Sequence, residues 1–284
     1  MRVLVIGANG MLGNAIFRLL NENSQWEIFG TARSESVKKL FNPALSNRLI
    51  FGIDLNQQDS LIDVLSHIRP DVVVNCVGLI KQLADAEDPL QAIPMNALLP
   101  HRLARICKLI NSRLIHISTD CVFSGAVGNY RESDRPDAQD LYGLSKLLGE
   151  VTYSHAVTLR TSIIGHELQS ANGLVGWFLS QEGQCNGYTR AIFSGLPTVV
   201  LAQIIRDFVI PNKELSGLYH VASEPISKYE LIKLIASVYK KSIDVIPDER
   251  VVINRSLNAE RFRSETGYAA SSWLEMIKRM HAFG

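Results

Sequence analysis

At 284 residues, with 46% hydrophobic and 20% charged side chains, the chain has an ordinary globular composition and enough length to bury a large core. Its 29 basic and 28 acidic residues leave a net charge of +1, which excludes the broad cationic field of a nucleic-acid-binding or membrane-surface protein. No apolar stretch approaches the roughly 20 residues of a membrane span, and four cysteines without CxxC or metal-ligand spacing predict a reduced, cytoplasmic protein with no metal site.

Residues 2–6 form a short apolar run that breaks into Gly7-Ala8-Asn9-Gly10, which reads as a first strand and not as a signal peptide. Residues 11–20 follow with helical spacing through Leu12, Ala15, Ile16, Leu19 and Leu20. Strand-like segments at 26–31, 49–53, 71–76 and 113–117 then alternate with helical ones at 34–41, 59–68 and 97–110, the last with Pro94 and Pro100 near its start. Helix 141–152 and strand 156–160 continue the series. Strict βαβα alternation predicts an α/β fold: a Rossmann-type, doubly wound parallel sheet with right-handed crossovers. Beyond Gly165 the pattern loosens, with glycines clustered over 172–187, a helix opening at Leu196-Pro197-Thr198, a short strand at 217–221 and helices at 228–239 and 271–280. The expected division is a dinucleotide-binding domain over 1–165, rejoined by part of about 196–222. Residues 166–195 and 223–284 would form a smaller substrate-binding lobe.

Gly7, Gly10 and Gly13 fall between the first strand and the first helix, where a dinucleotide fingerprint belongs. Glycine permits the turn and lets the backbone approach a diphosphate at the helix N-terminus, with Asn9, Met11 and Leu12 completing the loop. The second strand ends in Arg33-Ser34, a seat for a 2′-phosphate, so NADPH is the expected cofactor; Glu35 keeps NADH as the alternative. By topology, Asp54 and Leu55 after the third strand would meet the adenine. Cys76, Val77 and Gly78 after the fourth would line the middle of the cofactor.

Reduction of a carbonyl also needs a proton. Tyr142 and Lys146, four apart on one helix face, supply a phenol and an ammonium that would draw its pKa down from the ordinary value of about 10. Thr119, at the end of the fifth strand, could hold the carbonyl oxygen, with Ser118 as the neighbouring alternative. Spacing alone does not single out this pair, because Tyr229 and Lys233 share it; the second pair lacks a preceding Ser-Thr strand end and reads as structural. His116 reads as core, and His101, His166 and His220 show no metal pattern.

These features together resemble the extended short-chain dehydrogenase/reductases. Ser118-Thr119-Asp120-Cys121-Val122-Phe123-Ser124-Gly125 is similar to the STDYVFDG segment of the dTDP-4-dehydrorhamnose reductase family, and Leu159-Arg160-Thr161-Ser162 with Gly165 to its LRTSWVYG. Asn254-Arg255-Ser256-Leu257-Asn258, Arg261-Phe262, Gly267-Tyr268 and Trp273 resemble its closing segment. The resemblance implies NADPH-dependent reduction of the C4 ketone of a nucleotide-activated 4-keto-6-deoxyhexose, in the synthesis of deoxysugars and surface polysaccharide. It implies Thr119, Tyr142 and Lys146 as the catalytic trio, with Lys146 and Tyr142 also meeting the cofactor. Asn96, Ser118, Thr161 and Ser162 would lie near the nicotinamide, and Asp120, Cys121, Val122, Phe123, Trp177, Arg255 and Arg261 near the sugar nucleotide. Two departures, Cys121 in place of the family's tyrosine and the unfamiliar 172–187 stretch, set a UDP-4-keto-6-deoxy-HexNAc beside the dTDP-sugar as substrate. A nucleotide-sugar 4,6-dehydratase or epimerase and a non-catalytic NADP-binding regulatory subunit are the competing functions, and a homodimer is left open.

Overall fold

Seven short strands, rich in β-branched residues and buried on both faces, assemble into one parallel sheet, as such runs require. The computed structural model describes residues 1–23, 25–80 and 87–284. The strands are β1 (Arg2–Ile6), β2 (Glu27–Ala32), β3 (Leu49–Phe51), β4 (Val72–Asn75), β5 (Arg113–Thr119), β6 (Ala156–Thr161) and β7 (Gly217–His220), in the spatial order β7-β6-β5-β4-β1-β2-β3. The order reverses between β1 and β4, the place where doubly wound sheets open a crevice at their carboxyl ends. The helices are α1 (Met11–Leu20), α2 (Gln58–Ile68), α3 (Leu99–Leu109), α4 (Leu141–Leu148), α5 (Leu174–Ser180), α6 (Thr198–Ile204), α7 (Lys228–Val238), α8 (Glu260–Thr266) and α9 (Trp273–Phe283).

Each sheet face carries its own core. Val3, Val5, Val74, Ile115 and Val157 pack against Ile16 and Phe17 of α1, Val200 and Leu201 of α6, Ile235 of α7 and Met276 of α9. Leu4, Ile6, Val73 and Leu114 pack against Leu61 and Leu65 of α2 and Leu103 of α3. The strand period of two thus sends alternate residues to opposite cores.

Several helices differ from expectation for identifiable reasons. Residues 35–40 form a tight 3₁₀ segment in place of an α-helix, opened by the Ser34 hydroxyl accepting from Ser36 N–H. A helical turn at Pro89–Ala92 and a widened turn at Ile93–Leu98 precede α3. Pro100 has no N–H to return to the Asn96 carbonyl four residues back, so the ladder loosens there. Helix α4 stops at Leu148, and at the Gly149 that follows a Cβ would lie 2.0 Å from the Asn96 carbonyl oxygen, an approach only glycine allows.

The loosened region beyond Gly165 contains strands that periodicity did not reveal. Ala191–Phe193 is flanked by antiparallel Ile226–Ser227 and parallel Ile253–Asn254. Gln184–Tyr188 runs parallel to Asp244–Asp248, and Ile163–Ile164 to Leu196–Pro197. These strands span two to five residues, too few for alternation to stand out. Strand β7 lies beside β6, at the edge of the main sheet. Among the described residues no helix is long and apolar enough to cross a membrane, no cluster of acidic, His or Cys residues could hold a metal, and no cysteine forms a disulfide.

Candidate active site

The turn after β1 is shaped by backbone, not by side chains. Gly7 has φ +84°, and Gly10 N–H donates to its carbonyl at 3.0 Å. A Cβ on Gly13 would fall 2.0 Å from that same oxygen, and one on Gly7 would fall 2.6 Å from Val77 Cγ2. Thr31 at the end of β2 fixes the turn from the side, its Oγ1 accepting from Gly7 N–H at 3.2 Å and its carbonyl from Ala8 N–H at 2.8 Å. Gly10 begins α1 without a side-chain cap, and no acid stands in the first turn. The leading N–H groups are therefore uncontested by any side chain, and the residues present fit a dinucleotide diphosphate. Leu12 is buried in the core and can offer only its N–H; Asn9 and Met11 are partly accessible.

Around this cradle the other expected contacts are placed as follows. Arg33 is exposed and forms no ion pair among the described residues, while Ser34 is engaged with Ser36. The Asp54 carboxylate turns back on its own loop, accepting from Asn56 N–H and Gln57 Nε2; Leu55 is half-buried. After β4, Val77 N–H donates to Asn75 Oδ1, and burial pushes the Cys76 thiol up to about 12. Asn96 accepts from Leu79 N–H at 2.8 Å and donates to Ser145 Oγ at 3.2 Å, so it locks the loop carrying Gly78 onto α4. A Cβ on Gly78 would lie 3.1 Å from Asn96 Oδ1 and 3.5 Å from Lys146 Nζ. Thr161 is buried, and Ser162 passes its carbonyl to Leu196 N–H.

Thr119, Tyr142 and Lys146 converge at the carboxyl edge of β5. Asp140 starts α4 by accepting from Gly143 N–H at 2.8 Å, which sets the helix so that Tyr142 and Lys146 return toward the strand. The Tyr142 phenol lies beside the Thr119 hydroxyl, which eases its ionisation. Thr119 Oγ1 also accepts from Cys121 N–H at 3.1 Å and lies 3.3 Å from Asp120 Oδ1. Lys146 Nζ donates to the Ile117 carbonyl at 2.8 Å. Burial lowers the ammonium to about 8, against the pull of Glu150 and of Cys76. The expected lowering of the phenol is not what the protein alone provides: burial raises Tyr142, the Cys121 thiol and two aspartates add to this, and only the Thr119 hydroxyl opposes them.

Beyond this centre the structure separates residues that sequence had grouped. Ser118 faces the opposite side of β5 from Thr119 and donates to Glu150 Oε1 at 2.7 Å, so it cannot share Thr119's role. Val122 and Phe123 are wholly buried; Phe123 stacks on Tyr130 at 4.1 Å, and its side chain cannot meet a sugar. Arg261 sits on the outer edge of β7, bonded to the Leu218 carbonyl and Glu265 and over the Tyr219 ring. That position is spent on the sheet edge and lies away from Tyr142. Arg255, by contrast, reaches back to Phe123 O at 2.8 Å and Cys121 Sγ at 3.7 Å, next to Asp120. Asp120 is buried, which raises its carboxyl despite Arg255 and Lys228. Trp177 is 38% exposed on α5, whose leading Gly173 lies beside Met11. The second Tyr-x-x-x-Lys is a surface pair, with Lys233 4.9 Å above the Tyr229 ring.

Sequence reasoning missed Asp140, Lys228 and the buried Glu150–Arg160 pair. An aspartate three residues before Gly143 is an N-cap signal that could have been read; Glu150, four beyond Lys146, offered a weaker one.

A family model described as "RmlD substrate binding domain" matches residues 1–281. The chain belongs to this family. An RmlD-family relative, the dTDP-4-dehydrorhamnose reductase of Aggregatibacter actinomycetemcomitans, is 26% identical over all of this chain and 93% of its own. The methionine adenosyltransferase 2 subunit beta of Danio rerio is 29% identical over 84% of this chain and 74% of its own. A crystal structure of dTDP-4-dehydrorhamnose reductase from Bacillus anthracis in complex with NADP has a TM-score of 0.81 and 24% identity, covering 99% of both chains. By family and fold the chain is an oxidoreductase of the extended short-chain type.

Proposed function

We propose that this RmlD-family chain reduces the C4 ketone of a nucleotide-activated 4-keto-6-deoxyhexose with NADPH. The observation that carries the proposal is the convergence of Thr119, Tyr142 and Lys146 beside the glycine cradle. When bound, the dinucleotide supplies a hydride from C4 of its nicotinamide ring. Thr119 and Tyr142 then hold the substrate's carbonyl oxygen, and Tyr142 Oη delivers the proton that the developing alkoxide requires. A phenol raised by burial suits this direction: it stays protonated through neutral pH, and an alkoxide is basic enough to take its proton. Lys146, anchored on the Ile117 carbonyl, would bond the nicotinamide ribose and bring a positive charge to the reaction centre.

Two features bear on the substrate. Arg255, beside Cys121 and Asp120, offers a cation to the sugar nucleotide, and Arg33 offers one to a 2′-phosphate. Cys121 leaves a smaller side chain than tyrosine at the border of the sugar, which supports the UDP-4-keto-6-deoxy-HexNAc as well as the dTDP-sugar. A 4,6-dehydratase would want an acid where Cys121 stands, and a thiol accepting from Arg255 is a poor replacement. The likeness to methionine adenosyltransferase 2 subunit beta favours a second reading, a dinucleotide-binding regulatory module.

The test is nicotinamide absorbance with NADPH and paired dTDP- and UDP-4-keto-6-deoxysugars, using wild type and Tyr142→Phe. The proposal expects turnover on at least one sugar and a loss of about 10²-fold or more in the variant, with NADPH binding retained. NADPH binding without oxidation on any substrate supports the module instead.

A further inference from the structure

The polar groups beneath α4 form a connected buried cluster that the proposed chemistry leaves unused. Sheet register lines up Asn75 with His116 and Thr158, and Ser118 with Arg160 and His220, all on the sheet face opposite Thr119. Glu150 enters this layer from the turn after α4, and its carboxylate is fully committed. Arg160 Nε and Nη2 each donate to it at 2.7 Å, and Ser118 Oγ donates at 2.7 Å. The pair is dry, with side-chain exposures of 3% for Arg160 and 7% for Glu150. Arg160 is held in turn by His220 Nε2 at 3.3 Å and by the Phe123 ring at 5.2 Å.

A buried ion pair of this kind is weak evidence for stability, because desolvation offsets most of its attraction. Its location suggests another purpose. Ile117 and Ser118 are consecutive on β5; the carbonyl of the first takes the Lys146 ammonium, and the hydroxyl of the second takes the Glu150 carboxylate. Lys146 and Glu150 are also four residues apart in the chain. The strand end therefore anchors the cation and the anion through consecutive residues, while Arg160 fixes the anion from β6. We infer that Glu150, oriented by Arg160 and Ser118, is a positioning residue for the reaction centre, the counter-charge that keeps the buried Lys146 ammonium ionised and in place.

The surroundings of Lys146 fit this assignment. Among the described residues, the Cys76 thiol from the turn after β4 and His116 from β5 also face it. Burial pushes the thiol up to about 12, so it is neutral at pH 7 and supplies no counter-charge. His116 is wholly buried and held uncharged, since burial and Lys146 itself both oppose its protonation. Among the described residues, the carboxylate that acts on the ammonium is that of Glu150, and the cation facing Glu150 from β6 is Arg160. With its midpoint near 8, the ammonium is mostly charged at neutral pH, but the margin is about one unit. Glu150 raises the Lys146 midpoint, so its loss would lower that midpoint toward neutral pH.

The inference rests on the proposed role of Lys146, and its test reads the lysine separately from turnover. Protein labelled with ¹³C at lysine Cε is titrated by NMR, with the Lys146 signal assigned by its absence in Lys146→Met. In Glu150→Gln the midpoint should fall by about one pH unit or more, and the alkaline limb of NADPH oxidation should move down with it. If a stranded Arg160 prevents that variant from folding, the Glu150→Gln/Arg160→Met double variant is compared with Arg160→Met alone, and its midpoint should be the lower of the two, since only the Glu150 charge differs between them. A midpoint unchanged in the folded variant overturns the inference. A lowered midpoint with an unmoved rate profile keeps Glu150 as the counter-charge and removes Lys146 from the proposed chemistry, so the two failures are distinguishable.

Discussion

Replacing Lys146 by Met should make the protein more stable and nearly inactive. The ammonium is 94% removed from solvent and its midpoint falls from 10.5 to about 8 on folding. That difference of about 2.5 units, at ~1.4 kcal/mol each, means the charged form is disfavoured in the fold by roughly 3 kcal/mol. Met fills similar space without charge. The Ile117 carbonyl loses one donor, worth about 1 kcal/mol, so the net gain at pH 7 is about 2 kcal/mol. Because the folded midpoint lies below the unfolded one, the unfolded chain binds the extra proton between pH 8 and 10.5. Wild-type stability therefore rises across that window, while the Met variant lacks this component. Urea unfolding without dinucleotide, run from pH 7 to 10.5, should show the Met variant ahead at pH 7 and the gap closing as pH rises. A variant less stable at pH 7, with a pH-independent difference from wild type, would mean that Lys146 is not held at a cost and that its burial has been misread.

Three further perturbations test other parts of the site. Gly13→Ala places a methyl 2.0 Å from Gly7 O, so NADPH binding followed by fluorescence should weaken by about tenfold or more through distortion of the turn. Glu150→Gln leaves Arg160 buried without a carboxylate and should cost about 3–5 kcal/mol in urea unfolding, whereas pairing it with Arg160→Met should recover much of that loss. Arg33→Ala should weaken NADPH by roughly tenfold, the value of one charge-assisted hydrogen bond, and leave NADH unchanged; equal effects on both cofactors would remove Arg33 from the 2′-phosphate site.

What could be read from sequence follows from how local each constraint is. The parallel sheet was legible because apolar runs such as residues 72–74 have only one way to be buried on both faces. The glycine turn was legible because its sterics are internal: Gly7 and Gly13 meet each other within a single turn. Residues whose position depends on distant segments were not. Ser118 and Thr119 are adjacent and chemically alike, yet period two sends them to opposite faces, and only the packed partner, Glu150 or Tyr142, tells which is which. Arg255 and Arg261 lie six residues apart in one closing segment. The first follows the strand paired with Ala191–Phe193 and reaches Cys121, and the second opens outward along α8 to the sheet edge. The short strands at 184–188 and 244–248 depend on each other for their hydrogen bonds, so neither announces itself alone.

The choice between reductase and binding module turns on Tyr142 more than on Lys146. A buried ammonium at the mouth of a dinucleotide cleft is useful to a module too, since it can bond a ribose hydroxyl without any chemistry. The phenol would meet the cofactor too, but its surroundings discriminate between the two readings. It is kept beside Thr119, with Cys121, Asp120 and Asp140 all disfavouring its ionisation. Those neighbours would handicap a general base, which must lose its proton, and suit a general acid, which must keep one until an alkoxide forms. On the proposed function, the site would favour ketone reduction over alcohol oxidation near neutral pH. Measured in both directions with one sugar pair, the oxidative rate should climb with pH until Lys146 discharges, near pH 8, while the reductive rate stays level below that point. An oxidative rate that is flat from pH 6 to 8 would mean that Tyr142 is not the group exchanging the proton.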